Sequence, residues 1–264
     1  MLDELLPPSA HAVEVYGDPP GLRLYPEEEA CVARAVEARR REFTTGRYCA
    51  RAALRRSGVT PAAIAKGPSG APAWPDGVVG SITHCAGYRA AAVAHTTDLV
   101  TVGIDAEPAE PLPDGVFDII TLPRERAQLA VLAGAWPGVP WDRLLFSAKE
   151  SVYKAWSPLT GTFLDFDDVC VRIDPKAGTF AARLLVPGAD VVAGQAGEMR
   201  GRFAVRDGLL VTAITRLACA SIPGSSDTTD LPGDSYAPHA TTARRRTDAG
   251  HVAVRRCGSE VSKS

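Results

Sequence analysis

Apolar and polar positions along this chain alternate, cluster and break in a pattern that predicts mixed α and β structure up to about residue 222. Pro26 followed by Glu27, Glu28 and Glu29 reads as a helix start, with proline at the first helical position and acids on the positive end of the dipole. That helix is expected to run to about Arg41. Phe43-Thr44-Thr45-Gly46 then interrupts it, and Thr45 caps a second helix that Gly58 ends. Thr60-Pro61 opens a short helix stopping at Gly67, and 68–80 is a Gly/Pro-rich loop. Runs rich in Ala and Val predict strands over 89–95 and 100–107, about a turn at Thr97-Asp98. Beyond the proline-broken stretch 108–113, residues 142–156 read as a helix. Residues 169–174, 179–185 and 201–220 read as hairpin strands, with Asp207-Gly208 a strong turn signal.

The pattern divides the chain into an N-terminal half, 1–100, a C-terminal half, 101–222, and a stretch 223–264 too polar to bury a core, expected to be a disordered tail. With 264 residues and 45% hydrophobic content, the rest can bury a substantial core. The formal charge is −2, and residues 1–222 alone carry three more acids than bases. That balance speaks against a nucleic-acid binder, which would show a strongly basic domain. The six cysteines form no CxxC pair, which fits reduced thiols of a cytoplasmic protein. No signal-peptide pattern opens the chain and no run of about 18 apolar residues predicts a membrane span.

Four segments carry candidate chemistry. In Thr101-Val102-Gly103-Ile104-Asp105-Ala106-Glu107, strand alternation puts Val102, Ile104 and Ala106 on one face and both acids on the other. Adjacent carboxylates repel unless a cation lies between them, and a few carboxylates suit Mg²⁺ bridging to phosphates. Two solvated acids at an edge strand are the alternative. On the helix 142–156, Glu150 and Lys154 are i,i+4 neighbours, either a surface ion pair or a third metal ligand beside a phosphate-binding lysine. Thr83 and His84 sit in the segment 80–88, read as a glycine-bounded loop, where the histidine is either structural or a phosphate donor. Arg47, Arg51 and Arg55 form a stripe of like charges preceded by Arg39, Arg40 and Arg41, which is either a solvated face or an anion site.

Taken in order, RREFTTGRYCARAAL (40–54), GAPAWPDGVVGSITHCAGY (70–88), VGIDAE (102–107) and FSAKESVYKAW (146–156) resemble the Sfp-type 4'-phosphopantetheinyl transferases, in the branch that includes enterobactin synthetase component D and actinobacterial enzymes. The resemblance implies an α+β fold of two similar α/β halves related by a pseudo-twofold, with coenzyme A as substrate in the cleft between them. It implies Mg²⁺ on Asp105, Glu107 and Glu150, with Glu150, Lys154 and Asp105 as the catalytic set. Glu150 or a metal-held water would deprotonate the carrier serine. Arg39, Arg47, Lys66, Thr83, His84, Lys149 and Lys154 are the implied contacts to coenzyme A. Ala71 stands where some relatives carry a charged residue. The implied partners are acyl and peptidyl carrier proteins, met by a monomer without nucleic acid or membrane. The stretch 111–141, with Phe117, Leu122, Arg124, Arg126, Leu129 and Trp136, is a candidate docking surface. Competing readings are a metal-dependent nuclease or phosphodiesterase, and a non-catalytic coenzyme A-binding protein.

Overall fold

Eight strands among the described residues form two antiparallel sheets. The computed structural model describes residues 1–67, 70–193 and 197–218; the expected disordered tail, 223–264, lies outside them. Strands β1 (Ala10–Tyr16), β2 (Val78–Cys85) and β3 (Tyr88–His95) form one sheet in the order β1-β3-β2. Strands β4 (Leu99–Pro108), β5 (Val169–Asp174), β6 (Thr179–Leu184), β7 (Glu198–Arg206) and β8 (Leu209–Leu217) form the other in the order β4-β8-β7-β6-β5. The helices are α1 (Leu2–Leu5), α2 (Pro26–Glu29), α3 (Glu37–Arg56), α4 (Val116–Ile120), α5 (Pro123–Ala135), α6 (Trp141–Thr160) and α7 (Ala189–Ala193). This is a mixed α/β fold, as expected.

Each sheet carries one 20-residue helix. Helix α3 packs Cys49, Ala50, Ala53 and Leu54 against Val13, Ala91 and Val93 of the first sheet. Helix α6 packs Leu144, Leu145, Ala148 and Val152 against Val169, Val171, Leu210 and Ile214 of the second. A third cluster joins the sheets: Ala90, Ala92 and Ala94 of β3 meet Val102, Ile104 and Ala106 of β4. Alternation in β4 therefore works as expected, with the apolar face turned to the other sheet. Its exposed edge would be a liability, and β2 covers it. Ile104 N donates to Ser81 Oγ at 3.1 Å and Ala106 N to Thr83 Oγ1 at 3.0 Å, so side chains of β2 satisfy the backbone of β4.

Several local expectations are corrected. The helix begun at Pro26 ends at Glu29, and α3 runs unbroken through Phe43-Gly46. Gly46 serves packing rather than a break: an added Cβ would stand 3.3 Å from Ile82 Cγ2 on β2. No helix forms over 60–67, because Ile64 uses its backbone elsewhere. Its N–H donates to buried Glu28 Oε1 at 3.0 Å, and its carbonyl accepts from Arg47 Nε at 2.6 Å. The segment 80–85, read as loop, is strand β2, and β1 lay outside the predicted strands. The hairpin at Asp207-Gly208 forms as expected, with φ of 54° and 74°.

Helix α6 lies directly on β4 at Gly103. A Cβ added to Gly103 would lie 2.1 Å from Ser151 O and 2.8 Å from Ala155 N. Gly103→Ala must therefore push helix and strand apart. It is expected to lower unfolding free energy by about 3 kcal/mol, the upper part of the overpacking range, in a urea titration; an unchanged midpoint would show that the approach is looser than it looks.

Candidate functional site

The face of β4 opposite its apolar residues carries Thr101, Gly103, Asp105 and Glu107, and α6 lies against it. Thr101 Oγ1 donates to Ala155 O at 2.8 Å. Ser147 and Thr212 hydroxyls meet at 2.9 Å, and Thr212 sits opposite Asp105 in the β4–β8 register. Along α6, Arg143, Ser147, Glu150 and Lys154 recur at helical spacing and share one face. Strand and helix thus bring their charges together: Lys154 Nζ donates to Asp105 Oδ1 at 2.7 Å, and Arg143 Nη1 to Glu107 Oε2 at 2.9 Å. Glu150 lies one turn before Lys154 and is buried.

Asp105 is the centre of this arrangement. Its Oδ1 accepts a second hydrogen bond from Thr83 Oγ1 at 3.3 Å, whereas Oδ2 is buried and accepts none. A bare buried carboxylate oxygen is costly and calls for a cation or donor. For Glu107, burial first and the Asp105 charge second push the carboxyl up to about 7, against the pull of Arg143. The three carboxylates do not yet form a finished cage. Among the described residues no three His, Cys, Asp or Glu side chains are grouped to hold a metal ion. Asp105 pairs with Lys154 and Glu107 with Arg143.

Beside the acids stands a basic wall. Arg39 Nη1 lies 2.7 Å from His84 Nε2. A guanidinium only donates, so Nε2 accepts and the imidazole proton sits on Nδ1. Burial first, then Arg39, Lys154 and Arg89, hold His84 down to about 3, so it is a neutral ring. Its Nδ1 is buried without a hydrogen-bond partner, 3.8 Å from Glu42 Oε2. Glu42 also accepts from Arg39 at 3.2 Å, and Arg89 donates to Asp18 at 3.0 Å. Lys66, exposed, lies with Nζ 5.7 Å from the Phe43 ring centroid, while the Arg47 guanidinium stacks on the same ring at 4.1 Å.

Three expected substrate contacts are otherwise engaged. Lys149 is fully buried and donates to Ile120 O and Glu125 Oε2, each at 2.7 Å, and to Phe166 O at 3.0 Å. All three ammonium protons are committed to the core. Thr83 is buried, its Oγ1 donating to Asp105 Oδ1 and accepting from Ala106 N, so it braces the acid. Arg47 is buried, its Nε is held by the Ile64 carbonyl, and burial lowers it to about 10. The arginine stripe is neither solvated nor open to a free anion at Arg51, whose counter-ion is buried Glu28. In the stretch 111–141, Leu129 is buried and Arg126 pairs with Asp118 at 3.0 Å. The sequence reading missed Arg143, Glu125, Glu28 and Glu42. Helical spacing from Glu150 and Lys154 was the available signal for Arg143; the others gave none. A cavity of about 370 Å³, lined by Arg172, Asp174, Arg200 and Arg202 among others, contains none of the site residues.

The family described as the 4'-phosphopantetheinyl transferase N-terminal domain matches residues 27–94, and the 4'-phosphopantetheinyl transferase superfamily matches residues 101–196. The chain is 56% identical over 223 residues to 4'-phosphopantetheinyl transferase Svp of Streptomyces mobaraensis, covering 83% of this chain and 91% of that protein. It is 49% identical to 4'-phosphopantetheinyl transferase PptT of Mycobacterium tuberculosis, over 76% of this chain and 89% of that one. Enterobactin synthase component D of Salmonella typhi is more distant, 38% identical over 129 residues, 47% of this chain and 50% of that protein.

Removal of the Lys149 ammonium would leave Glu125 buried and uncompensated. Lys149→Met is expected to lose about 3–5 kcal/mol of stability by denaturant titration, with coenzyme A affinity of the folded fraction unchanged; weakened affinity without lost stability would return Lys149 to the substrate site.

Proposed function

The chain belongs to the 4'-phosphopantetheinyl transferase superfamily, and from that premise we propose that Asp105, Glu107 and Glu150 hold a divalent cation, Mg²⁺, on the diphosphate of coenzyme A. The chain is an enzyme of this type, transferring phosphopantetheine from coenzyme A to a carrier protein. That membership sets aside the nuclease and the non-catalytic binder. Acyl and peptidyl carrier proteins are the acceptors we infer, met by a cytoplasmic monomer. Among the described residues no helix is long and apolar enough to cross a membrane.

The observation that carries the metal assignment is the buried Asp105 Oδ2 that accepts no hydrogen bond. The donor set is all oxygen, which suits Mg²⁺. When bound, the cation neutralises and polarises the diphosphate. Lys154 leaves Asp105 to meet a phosphate oxygen; its four-carbon stem and partial exposure permit the shift. Thr83 keeps Asp105 oriented as Lys154 departs. Glu150 accepts the proton of the carrier serine. The serine oxygen bonds to the β-phosphorus, the bond from that phosphorus to the bridging oxygen breaks, and 3',5'-ADP leaves with its new charge facing Lys154. His84 contacts a phosphate of coenzyme A, and Arg39 and Lys66 supply further positive charge at the nucleotide.

Mass spectrometry of an apo-carrier incubated with the enzyme, coenzyme A and Mg²⁺ should show the added arm, and chelation with EDTA should abolish it. Glu150→Gln is expected to slow transfer by at least about 100-fold, the size of a general-base contribution; near-normal turnover would remove Glu150 from this role. His84→Ala should raise the KM for coenzyme A by about 10-fold or more, as for one lost hydrogen bond to a charged group. An unchanged KM would make His84 a structural residue held by Arg39.

A further inference from the structure

Arg143 has a place in the site that none of the expected residues fills. It opens α6, the helix that also carries Glu150 and Lys154, and its guanidinium makes three directed contacts. Nη1 donates to Glu107 Oε2 at 2.9 Å, Nε to Glu110 O at 3.1 Å, and Nη2 to Pro111 O at 2.8 Å. The two carbonyls belong to the segment leaving β4 just after Glu107. One planar group therefore fixes a carboxylate, the chain that follows it and the helix opposite. The neighbouring Asp142 reinforces the same junction, its Oδ2 accepting from Leu112 N at 2.8 Å.

The geometry assigns Arg143 the role of a positioning residue that holds the Glu107 carboxylate in its metal-ligating orientation, an inference that rests on the metal site proposed above. The guanidinium takes Oε2, and among the described residues no hydrogen bond goes to Oε1, which is the oxygen this leaves for a ligand. Carboxylate ligands are ordinarily oriented by such outer partners. A resident cation can instead act as a competitor, and the two side-chain cations at this site differ in that respect. Lys154 holds Asp105 through a single ammonium contact on a flexible stem and is about a quarter exposed. Arg143 is tied by two backbone carbonyls besides the carboxylate, and its hold on Oε2 leaves Oε1 for the metal. The two roles predict opposite signs: loss of a competitor tightens metal binding, and loss of a brace weakens it.

The test is Mn²⁺ binding, read by electron paramagnetic resonance in the presence of coenzyme A, with the Mg²⁺ dependence of transfer measured alongside. Arg143→Met is expected to weaken Mn²⁺ binding by about 10–100-fold, the usual effect of losing an outer partner. The half-saturating Mg²⁺ concentration should rise in parallel, while the KM for coenzyme A at saturating metal stays within about 2-fold. Arg143→Lys keeps charge but loses the fork, and should recover only part of the affinity. Asp142→Ala loosens the same junction without touching Glu107 and should leave Mn²⁺ affinity within about 2-fold. Tighter or unchanged Mn²⁺ binding in Arg143→Met overturns the inference, as does an equal loss in Asp142→Ala. Asp105→Asn separates this from the underlying reading. If Asp105→Asn binds Mn²⁺ as the parent does, the metal site itself fails; if it loses the ion while Arg143→Met does not, only the role of Arg143 fails. Should Arg143→Met not fold, Arg143→Lys carries the same test through its intermediate affinity.

Discussion

The contact between the backbones of α6 and β4 at Gly103 is the constraint from which the site follows. No side chain fits between Gly103 and Ser151 O, so the helix lies directly on the strand. That closeness brings the Thr101 hydroxyl to Ala155 O and lets two side chains of the helix reach two acids of the strand. A wider separation would leave Asp105 and Glu107 facing solvent, where adjacent charges are screened and weakly directed. Close packing here turns two ordinary acids into a buried pair that needs compensation.

The compensation is distributed with care. Glu28 neutralises Arg51 and Glu125 neutralises Lys149, both away from the carboxylate pair and both fully enclosed. These are structural pairs: breaking one costs much, while the intact pair adds little beyond specifying how the elements dock. Asp105 and Glu107 differ because their cations come from one helix face and leave one oxygen of Asp105 bare. The same chemistry, a carboxylate beside a cation, is closed in the core and open at the site. Hydroxyls from β2 complete the arrangement, since Ser81 and Thr83 hold the edge of β4 and Thr83 also steadies Asp105.

Much of this was legible in the sequence, and the limits have physical causes. Alternation in 101–107 separated the acids from the apolar face correctly, and Asp207-Gly208 marked its hairpin. Strand β2 escaped because Gly80, Ser81 and Thr83 look like loop residues; their small size serves contact with β4 and Trp74 rather than a turn. Gly46 misled in the same way, as a packing glycine inside a continuous helix. Periodicity placed Glu150 and Lys154 on one face, but it could not tell that Lys149, one residue earlier, turns into the core. Which lysine turns into the core and which stays partly exposed depends on residues such as Glu125, far away along the chain. The family matches cover 27–94 and 101–196, and the resemblance carried the activity. It did not reveal that Thr83 and Arg47 are engaged within the fold.

The central claim is that the bare oxygen of Asp105 awaits a divalent ion shared with Glu107 and Glu150. Anomalous scattering from crystals of the enzyme grown with Mn²⁺ and coenzyme A locates such an ion directly. The account predicts one peak within about 2.2 Å of an oxygen from each of the three carboxylates, near the Mg²⁺–oxygen distance, with Lys154 drawn away from Asp105. A peak held by phosphate oxygens alone, with Lys154 still on Asp105, would contradict it.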